Sequence, residues 1–190
     1  MARARVRPSA AEKNCIISGN QLFSGGHTEA CGKRPTMEDR SAIIGEFAGE
    51  NTQFYGIFDG HGGSNCSTYV ANNLHKTIAN KLAQNETQNV FDIVQESLNE
   101  INEYATKQWA NQGTTVAIAM IIDDLLYTAN VGDSRILLVD RDTGNFQRLT
   151  VDHKASDPSE QSQIRSKLGT IVNDRVSGIL ALSRAIGDGA

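Results

Sequence analysis

The stretch Gln53-Phe54-Tyr55-Gly56-Ile57-Phe58-Asp59-Gly60-His61-Gly62-Gly63 changes character partway along. Its first part is an apolar run of strand length. Its second part bares the backbone with glycines and sets a carboxylate and an imidazole beside it. At a strand's end an aspartate offers a metal ligand, a glycine allows close approach to a carbonyl, and a histidine can carry a proton near neutral pH. A turn needed only for chain reversal has no use for all three.

Working outward, the upstream run Ser41 to Phe47 and the run Gln53 to Phe58 read as two strands joined by a turn at Gly49, Glu50 and Asn51. Downstream the period changes. Val70, Leu74, Ile78 and Leu82 recur at helical spacing, and Val90, Val94, Leu98, Ile101, Ala105 and Trp109 repeat the pattern on a second helix that Gly113 ends. Thr114 to Ile122 is dense in β-branched residues and reads as one buried strand. Asp123-Asp124 turns the chain into Leu125 to Val131, and Gly132-Asp133-Ser134 separates that strand from Arg135 to Asp140. Strands so close in sequence imply an antiparallel meander. Asp157-Pro158-Ser159-Glu160 opens a further helix as cap, first-turn proline and capping-box glutamate, and Gly169 stops it. Grouped strands and paired helices predict an α+β layered fold.

The 190 residues suffice for one domain with a real core. Its boundaries are read as a tail over 1–20 and a domain over 21–190. The tail carries Arg3, Arg5 and Arg7 but lacks the long Ser-rich continuation of a transit peptide, so it reads as solvated. With 18 basic against 22 acidic residues the net charge is −4, which advertises neither nucleic acid nor anionic membrane as a partner. No stretch approaches the roughly 18 apolar residues of a membrane helix. Cys15, Cys31 and Cys66 are odd in number and lack a C-x-x-C pair, which argues against a disulfide framework or structural zinc and for a reducing compartment, cytoplasmic or nuclear.

Acidic residues recur at strand ends: Glu38 and Asp39, Asp59, Asp133, and Asp188. Oxygen ligands without cysteine suit a hard cation such as Mg²⁺ or Mn²⁺. Taken singly, each acid is better explained as a turn-forming or capping residue. His27, His75 and His153 have no ligand-like spacing and read as surface or structural, Trp109 as core, and Ser134 and Ser183 as loop-orienting residues rather than nucleophiles.

The company of these acids is more specific. In order along the chain stand Arg34-x-x-Met37-Glu38-Asp39, Asp59-Gly60-His61-Gly62-Gly63, Gly113-Thr114-Thr115, Asn130-Val131-Gly132-Asp133-Ser134-Arg135, Asp152-His153-Lys154 and Ser183-Arg184-Ala185-Ile186-Gly187-Asp188. From Arg34 to Asp188 the sequence resembles the PPM family, the metal-dependent protein serine/threonine phosphatases of type 2C. The resemblance implies an α-β-β-α sandwich of two antiparallel sheets flanked by helix pairs. It implies two Mg²⁺ or Mn²⁺ ions bridged by Asp59, with Glu38 and the Gly60 carbonyl on one of them, Asp39 holding its waters, and Asp133 on a weaker third. Arg34 would grip the substrate phosphate and His61 would act as general acid on phosphoprotein substrates. Arg184 belongs to a motif near the cleft, yet a structural ion pair explains it equally well.

The family's D-G-x-W-D motif and later Asp-Asn pair, which carry further metal-binding aspartates, do not occur in these residues. The expectation is therefore a fragment of a longer phosphatase, incomplete at its C-terminal end, rather than a natural short form with damaged activity. For function the expectation is metal-dependent hydrolysis of phosphoserine and phosphothreonine in proteins by a metal-activated water, and its rival is a non-catalytic phosphoprotein-binding or regulatory module that keeps the fold and Arg34.

Overall fold

The computed structural model describes residues 25–84 and 87–189. The predicted tail over 1–20, including Cys15, lies outside them. The class is α+β, with antiparallel pairing in every named sheet.

Its centre is a four-stranded sheet in the order β1-β2-β5-β6, built from β1 (Arg40–Gly45), β2 (Thr52–Phe58), β5 (Val116–Ile122) and β6 (Leu125–Val131). Between β2 and β5 the chain forms β3 (Gly60–His61), the helices α1 (Asn65–Gln84) and α2 (Val90–Gln108), and β4 (Gly113–Thr114). The expected meander holds for β5 and β6, which pair as neighbours, but β5 also returns to pair with β2 across the helix pair, and the strand after Gly132 leaves the sheet. The reason lies in alternation. Phe54 on β2, in register with Met120 on β5, and Phe58 and Ile118 on the same face need an apolar cover, and the α1 stripe of Val70, Leu74 and Ile78 supplies it. Ile93 and Ile101 of α2 complete this core, and nearly all of these side chains are fully buried. Asn89 caps α2 by accepting from the Phe91 N–H at 2.9 Å. Trp109 packs against the core beside Tyr69 and Tyr104, as its place on the apolar stripe predicts.

The predicted strand Thr114 to Ile122 is two strands. Thr115 interrupts it because its N–H donates to the Asp59 carbonyl (2.9 Å) and its hydroxyl accepts from the Asp59 N–H (3.1 Å), which ties this point to the end of β2. The predicted strand Arg135 to Asp140 shortens to β7 (Leu137–Val139), which pairs with β8 (Phe146–Arg148) around the Asp140 turn. The segment Arg135 to Leu137 that enters this pair stands across a cleft of about 310 Å³ from the second face of the central sheet. Then follow α3 (Pro158–Ser166), capped by Asp157 as predicted, the pair β9 (Ile171–Val172) and β10 (Arg175–Val176), and β11 (Ile186–Gly187). Glu160 does not close the predicted capping box. It is buried, accepts the Arg184 guanidinium through both oxygens (2.6 and 2.9 Å) and the Ser183 hydroxyl (2.5 Å), and so anchors the chain leading to β11. Among the described residues no helix is long and apolar enough to cross a membrane.

Candidate functional site

Three of the acids at strand ends, Glu38, Asp39 and Asp59, meet beyond one end of the central sheet. Glu38 and Asp39 come from the irregular segment that enters β1, and two residues fix its backbone. Arg40 donates to the Met37 carbonyl (2.9 Å), the Asp39 carbonyl (2.6 Å) and the Thr68 hydroxyl (3.0 Å). Ser67, in the first turns of α1, donates to the Glu38 carbonyl at 2.5 Å. Gly60 has to be glycine here, since a Cβ would collide with the Glu38 carbonyl and lie 2.8 Å from the Ser67 hydroxyl. The sequence reading missed Arg40 and Ser67. An arginine directly after the two acids was the signal available for the first; nothing in the sequence pairs Ser67 with Glu38.

The result is a polar cleft of about 160 Å³ lined by Cys31, Arg34, Thr36, Glu38, Asp39, Asp59 and Gly60, among others. Five of the seven expected site residues therefore share one wall. Asp133 and His61 are not on it. Asp133 follows the turn at Gly132, whose N–H donates to His153 Nδ1 at 3.1 Å, so His153 is structural as expected. Ser134, likewise a loop-orienting residue, shares a hydrogen bond with the Thr115 hydroxyl at 2.6 Å.

The electrostatics of this end are those of a site short of positive charge. Asp59 still reaches solvent through the cleft mouth, yet partial burial raises its carboxyl above the ordinary value, and the neighbouring Asp39 and then Asp133 raise it further. His61 alone pulls it back. Carboxylates pressed together in this way, with a backbone carbonyl and no thiolate among the expected ligands, suit a hard divalent cation. The donor set is sparse: among the described residues no three His, Cys, Asp or Glu side chains are grouped closely enough to hold an ion by themselves. Water would have to complete the coordination shell, as Mg²⁺ readily permits.

His61 stands beside this cleft on a second scaffold, the small sheet ordered β11-β4-β3. Its Nε2 lies 2.7 Å from Asp188 Oδ2, with each side chain about a quarter exposed, 22% and 25%. That hydrogen bond raises the imidazole above its ordinary value; burial works against it, and the charges of Asp188, Asp59 and Glu38 add to the rise. Of the cysteines, Cys31 and Cys66 are free thiols; Cys66 is buried, which pushes its thiol up to about 12. His75 packs on Phe54, with ring centroids 5.8 Å apart, and is structural.

A family model described as Protein phosphatase 2C matches residues 23–190. The chain is 37% identical over 174 residues to Protein phosphatase 2C homolog 1 of Saccharomyces cerevisiae, an alignment that covers 82% of this chain and 61% of that protein. It is 34% identical over 196 residues to Probable protein phosphatase 2C 11 of Arabidopsis thaliana, covering 95% and 52%. Among solved structures, a C. elegans sex determining protein superposes with a TM-score of 0.73 at 27% identity, covering 93% of this chain and 45% of that one. A phosphatase from Toxoplasma gondii superposes with a TM-score of 0.67 at 25% identity, covering 83% and 62%. The chain spans about half the length of the curated relatives it matches.

Proposed function

Because the chain belongs to the protein phosphatase 2C family, we propose that it hydrolyses phosphoserine and phosphothreonine in proteins with the help of bound Mg²⁺ or Mn²⁺. The observation that carries this reading is the convergence of Arg34, Glu38, Asp39, Asp59 and Gly60 on one polar cleft. Two bound divalent ions would neutralise the phosphate dianion and acidify a water for in-line attack. Asp59, Glu38 and the Gly60 carbonyl would hold them, with Asp39 assisting beside them and Asp133 serving a weaker further ion.

The remaining work falls to side chains of this protein. The Arg34 guanidinium lies exposed at the cleft, where its planar fork can give a phosphate two parallel charge-assisted hydrogen bonds. The departing seryl or threonyl oxygen is strongly basic and needs a proton as the P–O bond breaks. His61 is the group beside the cleft able to hold one for it. The substrates on this reading are phosphoproteins, and the free thiols Cys31 and Cys66 support a cytoplasmic or nuclear setting.

Hydrolysis of a phosphothreonine peptide by the full chain is expected with Mn²⁺ or Mg²⁺, absent with chelator, and absent in Asp59→Asn. Peptide binding without turnover would favour a non-catalytic phosphoprotein-binding module instead.

A further inference from the structure

The small β11-β4-β3 sheet has only two-residue strands, and burial of apolar surface does not account for it: of its six residues, Ile186 alone has a large apolar side chain. What it does is bring His61 to Asp188 across 127 positions of sequence. Gly113 of β4 lies in register with His61 on one side and Gly187 on the other. A Cβ on Gly113 would strike the Asp188 carboxylate and come within 2.5 Å of His61 Nε2, so the glycine leaves room for the pair. Asp188 itself adopts a left-handed conformation, φ 50°, which aspartate tolerates better than most residues and which its neighbours fix here. Its N–H donates to the Gln112 carbonyl at 3.0 Å, and the preceding Gly187 N–H donates to the Asn102 side chain at 3.1 Å. Upstream, the Glu160–Arg184 ion pair ties the same segment to α3.

We infer that Asp188 is a positioning residue for His61: by accepting the Nε2–H it fixes ring orientation and tautomer and leaves Nδ1 as the nitrogen that exchanges a proton with substrate. Among the described residues Nδ1 of His61 has no hydrogen-bond partner, as this role requires. The chemistry rests on the hydrolase reading above. As the ester P–O bond breaks and its electron pair moves to the seryl or threonyl oxygen, the Nδ1 proton passes to that oxygen. The imidazole is left neutral, still donating Nε2–H to Asp188. This is the division of labour by which a buried carboxylate holds a catalytic imidazole in one tautomer.

Two readouts on the full chain test it. In two-bond proton–nitrogen spectra of the histidines, with His61 assigned by its loss in His61→Gln, the neutral ring is expected as the Nε2–H tautomer. Asp188→Ala should relax the ring to the tautomer mixture of a free imidazole, and the isosteric Asp188→Asn, whose amide can donate to Nε2, should raise the Nδ1–H form further. The Gly113 and Ile186 amide signals should hold their positions and report an intact fold. In kinetics, Asp188→Ala should lower kcat on a phosphothreonine peptide by about 10²-fold, as for loss of a general acid, with KM unchanged. An aryl phosphate, whose leaving group needs no proton, should lose less than about threefold, since Asp188 is not among the residues that line the cleft with Arg34. A wild-type ring in the Nδ1–H form, a tautomer unmoved by both substitutions, or equal losses on the two substrates would overturn the inference. If the wild-type chain turns over neither substrate, the hydrolase reading of these residues fails, and the tautomer spectra alone decide the role of Asp188.

Discussion

The two faces of the β1-β2-β5-β6 sheet carry similar residues in different surroundings. On the helix-covered face Phe54, Phe58, Val116, Ile118 and Met120 are fully buried. On the other face Ile57 is 47% and Leu126 45% exposed, and across the cleft the β7–β8 pair leaves Val139 57% and Phe146 71% exposed. Alternation along a strand sorts side chains between faces, but only a partner layer turns an apolar face into a core. The first region is held by packing. The second, from Gly132 onward, is held largely by polar links: Glu160 to Arg184, and Asp152 to Arg135, Arg148 and Lys154.

This contrast can be broken most forcefully from the packed side. Leu74→Ala removes a fully buried side chain and should cost about 2–5 kcal/mol in urea unfolding, whereas Leu138→Ser on β7 should stay within about 0.5 kcal/mol. Equal losses would deny the difference between the faces. Next in size is Glu160→Gln, which weakens charge-assisted bonds to Arg184 and Ser183 and should cost about 1.5–3 kcal/mol. Hydrogen exchange should rise around β11 well before it rises in α1 if the second region is held as described. A smaller effect, of opposite sign, is expected at Gln53. Its side-chain amide is fully buried and has no hydrogen-bond partner among the described residues, so Gln53→Leu should stabilise the chain by about 1 kcal/mol; a loss of stability would show that the amide has a use.

Acid provides the finest probe. His75, against the packed core, is lowered chiefly by burial and secondarily by Lys76, against the pull of its bond to the Ala71 carbonyl; burial and the Arg184 charge lower His153. Each contribution is therefore complete above the unfolded value of about 6.5 and is lost as pH falls through the folded one. His61, raised by Asp188, works in the other direction: its contribution is complete below the unfolded value and fades as pH rises through the folded one. The urea midpoint should drop on acidification from pH 7 to 5 and drop less in His75→Gln; an unchanged slope in that variant would remove His75 from the account.

What the sequence disclosed follows the same division. Strands β2 and β6 and helices α1 and α2 were legible because each packs one face on a core, and that leaves a period in the residues. The split at Thr115 was hidden, since a β-branched residue reads as strand whether its hydrogen bonds complete a ladder or bind the Asp59 backbone. The sharing of one cleft by Glu38 and Asp59 followed from family motifs, not from spacing. The His61–Asp188 pair was invisible for a physical reason: the strands that create it have two residues each, too few for any period, and their pairing is local in space only. Arg184, equally placed by the sequence in the cleft or in an ion pair, is in the ion pair.

On the proposed reading, the cleft bounded by Glu38, Asp39, Asp59 and Gly60 holds divalent cations. Titrating ¹⁵N-labelled chain with Mn²⁺ tests it directly, because the paramagnetic ion broadens the amide signals nearest to it. The account predicts that the amides of residues 38, 39, 59 and 60 broaden first, and that Asp59→Asn requires at least about tenfold more Mn²⁺ for the same effect. Broadening centred on Asp123 and Asp124 or on the Asp140 turn, or a response unchanged by Asp59→Asn, would contradict it.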